Sequence, residues 1–341
     1  MNRTAPRLAA TTLAILLLCG SGFARDAASA PLRIATFNTE WLTASAHETR
    51  MAPWKTEEEL ANHRRRIAAI LAEVHPDIVA LEEVTSRAAL EKLAAEPPLR
   101  KLGYRALHVE SEDHGTGQDV AFLVGPRIQL DMIQGAVIRR FADTLAGRPA
   151  RFSKKGKKSK KGSLDQRLTK HALVCFSKPE KICLLGLHLL AHPDDRGRTA
   201  KRETQARIAA NIVRSEIITR GYGTVVLGDF NDFDPTVSGT EQYGEGNRKV
   251  LSILKDVDPS RLGPELVNAA ARVEPFSARY SAWWDKNENG MRDSTDPLSL
   301  IDHILVDQTL AKRIVKVEIR HDLHDGTVSD HWPVSMEIRM K

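Results

Sequence analysis

The chain has 341 residues, of which 42% are hydrophobic and 28% are charged. This composition is typical of a folded globular protein and excludes a disordered, collagen-like or multi-span membrane chain. The formal net charge of +6 comes from one lysine-rich segment, because without its six lysines the chain holds 44 basic and 44 acidic residues.

Residues 1–30 have the organisation of a secretory signal followed by a short linker. Arg3 and Arg7 precede the apolar run LAATTLAILLLCG, and small residues follow this run in SGFARDAASA. A basic head, a short apolar middle and a small-residue exit direct export and are removed from the mature chain. The sequence therefore predicts an exported protein, periplasmic or secreted, that is cleaved after Ala24 or near Ala30.

The first half of the mature chain alternates short apolar runs with amphipathic segments. Helices are predicted over residues 57–74 and over residues 86–96, the second closed by Pro97 and Pro98. The predicted strands are LRIATF (32–37), DIVALEEV (77–84), YRALHVE, DVAFLVG and MIQGAVIRRF.

A lysine-rich arm over residues 153–162 comes next. Such an arm attracts phosphate-rich polymers or anionic surfaces, and the alternative is a solvated insertion loop without a partner. The candidate nucleic-acid contacts in this arm are Lys154, Lys155, Lys157, Lys158, Lys160 and Lys161.

Two cysteines of the mature chain lie in the segment HALVCFSKPEKICLLGLHLL. Cys175 and Cys183 flank a turn that contains a proline, so the two apolar runs predict a hairpin with the cysteines facing each other. In an oxidising compartment this pair is a candidate disulfide. The alternative is two buried free thiols, because cysteine is often a small core residue.

The second half of the chain begins with a helix predicted over residues 199–220. Many strands with few helices between them indicate two sheets with helices outside. No internal repeat and no Pro/Gly/Ser-rich linker divides the chain, so one α/β domain over residues 31–341 is predicted. The predicted strands of this half are TVVLGDF, RYSAWW, SLIDHILV, IVKVEIR and HWPVSMEIRM.

Polar side chains recur where these apolar strands end. Each of these residues alone is typical of a turn. The end of a strand holds its side chains in fixed positions, however, so side chains at several strand ends can converge at one edge of a sheet sandwich. Carboxylates, amides and imidazoles are the only groups in the set. Its members are Asn38, Glu40, Glu82, Glu83, His188, Asp229, Asn231, Asp302, His303, Asp330 and His331.

This set of groups is what metal-assisted phosphodiester hydrolysis requires. A hard divalent cation such as Mg²⁺ takes one or two carboxylates and neutralises the phosphoryl charge of the transition state. A carboxylate near an imidazole activates the attacking water, and amides with a histidinium hold the non-bridging oxygens. The sequence has no nucleophile-elbow serine, no phosphate-cradling glycine loop and no zinc-type histidine pair.

Five segments, NTEW, LEEV, GDFND, IDHILV and SDHWPV, occur in this order and resemble the motifs of the endonuclease/exonuclease/phosphatase superfamily. The resemblance covers nearly all of the mature chain. It implies the DNase I-like fold, an α/β four-layer sandwich of two packed, mostly antiparallel β-sheets flanked by helices, with the site at one edge. It also implies a Mg²⁺ (or Mn²⁺) cofactor and cleavage of phosphoric esters.

The resemblance also implies roles for single residues. Asp229 is similar to the aspartate that positions or deprotonates the attacking water, and Asn231 to the amide that contacts phosphate. His331 is similar to the essential histidine, which Asp302 orients, and His188 is a candidate acid for the leaving oxygen. The implied metal-site residues are Asn38, Glu40, Glu83 and Asp330.

Two positions depart from the family pattern. Relatives often have glutamine before the metal-site glutamate, where this chain has Glu82. The extra charge either changes the metal affinity or points elsewhere. A partner for His188 is expected from Gln118 or Asp119, and without one the general-acid role of His188 is weaker.

Residues 285–296 have the ligand spacing of a calcium loop. Oxygen-bearing side chains stand at positions 1, 3, 5, 9 and 12, and glycine stands at position 6. The flanking segments are predicted strands, so the alternative is a polar hairpin tip. The candidate Ca²⁺ ligands are Asp285, Asn287, Asn289, Asp293 and Asp296.

The leading functional hypothesis is an exported metal-dependent phosphodiesterase, specifically a nuclease that works by direct attack of water. The lysine-rich arm favours nucleic acid as the substrate. A second hypothesis keeps the chemistry on a phospholipid headgroup, as in sphingomyelin-cleaving relatives, or on an inositol phosphate. A third is a non-catalytic exported binding protein with the same fold. A monomer without an obligate protein partner is expected.

Overall fold

A computed structural model describes residues 30–111, 113, 115–131, 168–193, 195–237, 249–258, 260 and 262–341. The apolar run of the predicted signal, the strand predicted in MIQGAVIRRF and the lysine-rich arm lie outside the described residues. Among the helices of the described part, none is long and apolar enough to span a membrane.

The first sheet, sheet A, has six strands. Its spatial order is β13–β14–β1–β2–β4–β3, and all neighbours are antiparallel except β1 and β2. The strands are β1 (Leu32–Leu42), β2 (Ile78–Val84), β3 (Arg105–His108), β4 (Asp119–Val124), β13 (Ile314–Ile319) and β14 (Val334–Ile338).

The second sheet, sheet B, also has six strands, in the order β5–β6–β7–β8–β12–β9. Only β7 and β8 are parallel. A separate two-stranded ribbon joins β10 (Ala282–Trp283) to β11 (Leu298–Ser299). The strands of sheet B are β5 (Gln129–Leu130), β6 (His171–Lys178), β7 (Ile182–His188), β8 (Gly223–Asp229), β9 (Leu266–Asn268) and β12 (Asp302–Asp307).

The helices follow the local signals of the sequence. The first helix begins after Thr56, whose side chain and that of Glu59 form a reciprocal capping box. The helix predicted over residues 86–96 ends at Ala94, and the two prolines start a further short helix, where proline is tolerated. The helices are α1 (Glu57–Val74), α2 (Arg87–Ala94), α3 (Pro97–Arg100), α4 (Arg196–Ile212), α5 (Val250–Lys255) and α6 (Gln308–Ala311).

The long helix predicted over residues 199–220 begins slightly earlier, as α4. It then continues as a π-helical turn over Val213–Ile217 and a 3-10 turn over Ile218–Arg220. RYSAWW contributes only the two residues of β10. The sequence pattern thus identifies the element types, and the boundaries shift by a few residues.

The two sheets pack face to face, with helices on both outer faces. Residues such as Ile34 and Leu184 fill the core between the sheets, where Phe122 lies so close that a Cβ at Gly186 would crowd it. Alternate residues of the same strands face outward, against α1 and α2 on sheet A and against α4 and α5 on sheet B. The predicted α/β sandwich of two mostly antiparallel sheets is confirmed.

The two parallel pairs position the site. β1 and β2 lie at the centre of sheet A, and β7 and β8 lie at the centre of sheet B. Because parallel strands end at the same edge of a sheet, the residues that close these four strands share one rim. The start of β12 and the chain before β14 reach that rim as well, through the pairing of Asp302 with Asp229 and of Thr36 with Val334.

Candidate active site

Asp229 is held rigidly at the end of β8. A Cβ at Gly228, whose φ is 133°, would collide with the carbonyl oxygen of Leu187, so only glycine allows this approach to β7. Asn231 has a φ of 48° and folds back on the aspartate. Its backbone N–H donates to Asp229 Oδ1 at 2.9 Å, and its Nδ2 donates to Oδ2 at 2.9 Å.

His331 and Asp302 form a buried hydrogen-bonded pair beside Asp229. His331 Nδ1 lies 2.7 Å from Asp302 Oδ2, and Ser281 Oγ donates to the same oxygen at 2.7 Å. His331 Nε2 lies 3.9 Å from Asp229 Oδ2. Burial alone would lower the pKa of His331, but the carboxylates of Asp302 and Asp330 outweigh it and hold that pKa well above its usual value.

Glu83 closes β2 on the sheet A side of the rim. Gln118 Nε2 donates to Glu83 Oε2 at 2.7 Å, and the backbone N–H of Trp41 donates to the same oxygen at 3.1 Å. Asn38 Nδ2 lies 3.3 Å from Glu83 Oε1 and 3.2 Å from Asp229 Oδ2. Asn38 therefore joins the two sheets at this point.

Three residues of the site have backbone angles that side-chain-bearing residues seldom adopt. Glu40 has a φ of 47° and Glu83 a φ of 64°, in addition to Asn231. The strand pairing of β1 with β2 is irregular between Asn38 and Leu42, next to these positions. Backbone strain of this kind costs about 1–3 kcal/mol per residue and clusters at functional sites.

The carboxylates on the sheet A side repel one another. Burial raises the pKa of Glu40 to about 9, and the charges of Asp330 and Glu83 add to this effect. Burial and the charge of Asp330 also raise the pKa of Glu83. Burial raises the pKa of Asp229 to about 7, against the lowering effect of His331. A crowded group of buried carboxylates is stabilised by a cation.

His188 closes β7 and is 4% exposed. Its Nε2 lies 3.6 Å from Asp229 Oδ2 and 4.0 Å from Glu83 Oε1. Its Nδ1 has no hydrogen-bond partner among the described residues. Burial holds the pKa of His188 well below its usual value, and the positive charge of Lys170 lowers it further.

The prediction that Gln118 or Asp119 partners His188 is wrong for both residues. Gln118 is occupied by Glu83 and by Lys170 Nζ, which donates to Gln118 Oε1 at 2.8 Å. Asp119 Oδ2 lies 2.6 Å from His108 Nε2, and its Oδ1 accepts from the backbone N–H of Ser111. Both side chains are therefore engaged by residues other than His188.

Glu82 lies under the site and not in the cluster around Glu83. It is fully buried, and its Oε1 accepts a hydrogen bond from Thr36 Oγ1 at 2.9 Å. Burial raises the pKa of Glu82 well above its usual value, and the negative charge of Asp302 raises it further. The extra charge of Glu82 is expected either to change the metal affinity or to point away from the metal site, and the structure agrees with the second alternative.

Two further residues of the site carry no signal in the sequence. Ser281 donates to Asp302, and Lys170 lies 3.4 Å from Asp113 while it donates to Gln118. Lys170 directly precedes β6 and Ser281 directly precedes β10, and neither residue belongs to a motif. Their roles depend on contacts between distant parts of the chain, which spacing along the sequence does not reveal.

The predicted calcium loop forms the exposed tip between β10 and β11. Its oxygens accept hydrogen bonds from within the loop: Asp285 from the N–H of Gly290, Asp293 from Thr295, and Asp296 from Lys286. Asn287 and Asn289 both donate side-chain N–H groups to Asp293 Oδ2. The hairpin setting is as expected from the sequence, and Ca²⁺ binding stays a prediction.

The two cysteines lie directly opposite each other in the β6–β7 ladder. Cys175 pairs with Cys183 in the register, and their sulfur atoms are joined as a disulfide. Both residues are buried against α4, at 1% and 0% exposure. The structure thus agrees with the bridged alternative.

The groups on the sheet B side also lie close enough to surround one ion. Single ligand atoms of Asp229, Asp302 and His331 all lie within 4.8 Å of one another. His331 Nδ1 is already hydrogen-bonded to Asp302, however, so this closeness is accounted for by the pair itself. The rim as a whole brings Asp229 and the His331–Asp302 pair together with the carboxylates of Glu40, Glu83 and Asp330.

Comparison with known proteins identifies the family. A model described as the Endonuclease/Exonuclease/phosphatase family matches residues 35–331, in agreement with the resemblance of the five motifs. No curated protein matches the chain.

Solved structures of similar fold come from several organisms. TDP2 from C. elegans has 19% identity and a TM-score of 0.53, over 91% of this chain and 75% of that chain. The 3′ phosphatase NExo from Neisseria, bound to product DNA hairpin, has 19% identity and a TM-score of 0.57, over 91% and 100%. A protein of the same family from Bacteroides thetaiotaomicron has 16% identity and a TM-score of 0.54, over 92% and 99%. At these identities the likeness shows the fold.

Proposed function

The chain belongs to the endonuclease/exonuclease/phosphatase family, whose members hydrolyse phosphoric esters, and from this premise we propose that it is an exported, divalent-metal-dependent nuclease. One observation carries the proposal. Asp229, the His331–Asp302 pair and Glu83 come from positions up to 248 residues apart in the chain and lie together at one rim, where His331 is 3.9 Å from Asp229 and Asn38 lies within 3.3 Å of both Asp229 and Glu83. The loss of a catalytic group that a non-catalytic binding protein would show is not found at any of these positions.

Asp229 is the base for the attacking water in this proposal. Its pKa of about 7 suits a group that takes up a proton near neutral pH. Asn231 Nδ2 donates to Asp229 Oδ2 and to the carbonyl oxygen of Leu189, at 2.9 Å and 3.2 Å. Because both amide hydrogens are engaged, Asn231 orients the base rather than reaching out to the phosphate.

His331 stabilises the charge that develops on the phosphoryl oxygens. Asp302 keeps the ring protonated and oriented through Nδ1, which leaves Nε2–H directed toward the space beside Asp229. Burial holds the pKa of His188 well below its usual value, so its Nε2 is suited to hydrogen bonding with the substrate more than to protonating the leaving oxygen.

The metal-site residues fit a hard divalent cation. Asn38, Glu40, Glu83 and Asp330 offer only oxygen ligands, and the raised pKa values of Glu40 and Glu83 reflect a negative charge that a cation would balance. These residues would hold Mg²⁺ or Mn²⁺, which would supply polarisation of a phosphoryl oxygen and neutralisation of transition-state charge. The group of Asp229, Asp302 and His331 is less suitable as a metal site, because the imidazole of His331 is already hydrogen-bonded to Asp302.

Nucleic acid is the substrate that two observations favour. The six lysines of the arm supply sequence-independent phosphate contacts, and the similar NExo structure contains product DNA. Deleting residues 153–162 should weaken polynucleotide binding and flatten its dependence on salt. An unchanged slope of log Kd against log salt concentration would show that the arm plays no part.

A phospholipid headgroup is the second candidate substrate. Trp284 is 56% exposed and Met291 is 65% exposed on the hairpin of β10 and β11. The same hairpin is hydrogen-bonded to the chain on both sides of His331, through Trp283 N–H to Asp330 O and Trp332 N–H to Ser281 O. Apolar side chains beside a hydrolytic site can insert into a lipid interface.

A substrate panel tests the proposal directly. Plasmid DNA, single-stranded DNA, RNA and sphingomyelin liposomes are each incubated with Mg²⁺, Mn²⁺, Ca²⁺ or chelator. We expect nicking or degradation of a nucleic acid with Mg²⁺ or Mn²⁺, no turnover with chelator, and no turnover by the His331→Ala variant. Release of phosphocholine from the liposomes, with all nucleic acids left intact, would show that the protein is a phospholipid hydrolase and not a nuclease. Turnover in the presence of chelator would overturn the metal dependence.

Export has its own test. Expression of the full chain in a bacterial host, followed by fractionation and mass measurement, should give a mature protein that starts after Ala24 or near Ala30. A full-length protein that begins at Met1 and remains with the cytoplasmic fraction would contradict export.

A further inference from the structure

Arg202 is a fully buried arginine outside the site described above. Its side chain and that of Asp232 are both 0% exposed, and its Nε lies 3.2 Å from Asp232 Oδ2. On α4 it occupies the buried stripe that continues with Ala206, Ala209 and Val213. A buried ion pair is costly in desolvation unless further hydrogen bonds satisfy it, so its presence on an apolar stripe calls for a reason.

The guanidinium also binds the loop that follows β7. Its Nη1 donates to the carbonyl oxygens of Leu190 at 3.1 Å and His192 at 3.0 Å, and its Nη2 donates to that of Pro193 at 3.0 Å. Nη2 also donates to Thr199 Oγ1 at 3.1 Å. The planar fork of arginine reaches all these acceptors at once, which a lysine ammonium cannot do.

The two segments that Arg202 binds carry catalytic groups. The loop from Leu189 follows His188, and Leu189 exchanges hydrogen bonds with the next segment: its N–H donates to Asp229 O, and its carbonyl accepts from Asn231 Nδ2. Asp232 directly follows Asn231. The carbonyl oxygen of Asp232 lies 2.9 Å from His303 Nε2, next to Asp302.

We propose that Arg202 is a positioning residue for the reaction, which fixes the loop after His188 and the segment after Asp229 to one helix and to each other. The inference rests on the proposed function. Displacement of a reacting group by about 1 Å lowers turnover by about a hundredfold, even where the altered residue is distant from the chemistry. The effect of losing Arg202 is therefore expected in kcat and not in KM.

The molecule offers a matched control in a second buried ion pair. Lys255 Nζ lies 2.7 Å from Asp234 Oδ1, with side-chain exposures of 10% and 0%. This pair holds the far end of the same segment to α5, and Lys255 donates to Thr236 as well. No contact of Lys255 among the described residues reaches the loop after β7, so its loss costs stability without displacing His188. Arg207 is an exposed control on the same helix as Arg202.

The experiment combines amide hydrogen exchange with steady-state kinetics on the Arg202→Lys, Arg202→Met, Lys255→Met and Arg207→Met variants. We expect at least tenfold faster exchange for amides of residues 189–192 and 229–233 in Arg202→Met, with unchanged exchange in β1 and β14. We expect kcat to fall about a hundredfold in Arg202→Met and about tenfold in Arg202→Lys, with KM within about threefold. Lys255→Met and Arg207→Met should keep kcat within about threefold of the wild type.

The outcomes separate the two levels of the inference. Unchanged exchange at residues 189–192 and 229–233 in Arg202→Lys, the milder variant, would overturn the positioning role whether or not Arg202→Met folds. Faster exchange with wild-type kcat would overturn the link to catalysis. If the wild-type protein had no hydrolytic activity, the proposed function would be overturned. The exchange measurement would still show whether Arg202 holds the loop after β7 and the segment after Asp229 in place. Partial recovery of kcat in Arg202→Ala on addition of guanidinium well below denaturing concentrations would support the inference.

Discussion

The two sheets contribute to the site in different ways. On the sheet B side, β8 presents Asp229 with its oxygens already engaged by Asn231, and Asp302 of β12 holds His331 from the chain before β14, so this half is preorganised by hydrogen bonds. Sheet A presents Glu40 and Glu83 on strained backbone, close to Asp330 and repelling one another. The sheet B half is held by hydrogen bonds within the folded chain, and in the proposed function a cation would complete the sheet A half.

This difference predicts two kinds of variant. Changes on the sheet B side should lower turnover at any metal concentration, because they remove groups that act in the transition state. Changes on the sheet A side should alter the metal concentration that the enzyme needs. Asn38 connects the halves by lying within 3.3 Å of both Glu83 and Asp229.

The largest effect is expected for the sheet B side. Asp229→Asn and His331→Ala should each lower kcat by about a hundredfold to ten-thousandfold, because each removes a proton-transfer or charge-stabilising group. Saturating Mg²⁺ should not restore the rate. Steady-state kinetics on the best substrate of the panel measures the loss, and thermal unfolding checks that the variants are folded. If saturating Mg²⁺ restored kcat in Asp229→Asn, Asp229 would be a metal ligand and not the base.

Glu83→Gln tests the sheet A side. Residues that hold the ligands of a bound metal in place contribute about 10- to 100-fold to its affinity, and a direct ligand contributes at least as much. We expect the Mg²⁺ concentration for half-maximal rate to rise by about tenfold or more, with much of kcat regained at high Mg²⁺. Glu73→Gln, on the exposed face of α1, is the control. An unchanged metal midpoint in Glu83→Gln would contradict the assignment.

The sequence predicts the groups of both halves because they stand at strand ends in specific motifs. Asp229 and His331 are fixed by GDFND and SDHWPV, and the strands before and after them are apolar enough to identify. The contacts that Gln118 and Asp119 make instead of pairing with His188 are not predictable in this way, because they depend on the register of β4 against β2, which shifts between Leu81 and Val84. A one-residue change of register moves a side chain to the other face.

Arg202 shows a signal that is present in the sequence but incomplete. A charged residue on the buried stripe of an amphipathic helix indicates a buried ion pair. Its other partners are backbone carbonyl oxygens of Leu190, His192 and Pro193, and backbone acceptors have no sequence signature. Ser281 is a similar case, since its hydroxyl contacts Asp302 from 21 residues away.

Acid should destabilise the sheet B half through His171, which lies in β6. Burial lowers the pKa of His171 to about 4, from an ordinary value of 6.5. The unfolded chain therefore binds a proton between pH 6.5 and 4 that the folded chain does not, and stability is lost as the pH falls through this window. The loss is about 3 kcal/mol, at about 1.4 kcal/mol per pH unit. Denaturant unfolding measures it, and the His171→Leu variant should show a shallower pH dependence by about this amount. The exposed His47→Leu control should follow the wild type, and parallel curves for all three proteins would contradict the assignment.

The smallest effect is expected one residue from the metal-site glutamate. Glu82 is buried, its pKa is well above the usual value, and its Oε1 accepts from Thr36. A neutral carboxyl is close in shape and hydrogen bonding to the amide that relatives often carry, so Glu82→Gln should keep kcat and the Mg²⁺ midpoint within about threefold. Glu82→Leu leaves the Thr36 hydroxyl without its acceptor and should cost about 1–3 kcal/mol of stability. If Glu82→Gln shifted the Mg²⁺ midpoint as far as Glu83→Gln does, Glu82 would be ionised in the working enzyme, and the acidic half of the site would extend beneath the rim into the core between the sheets.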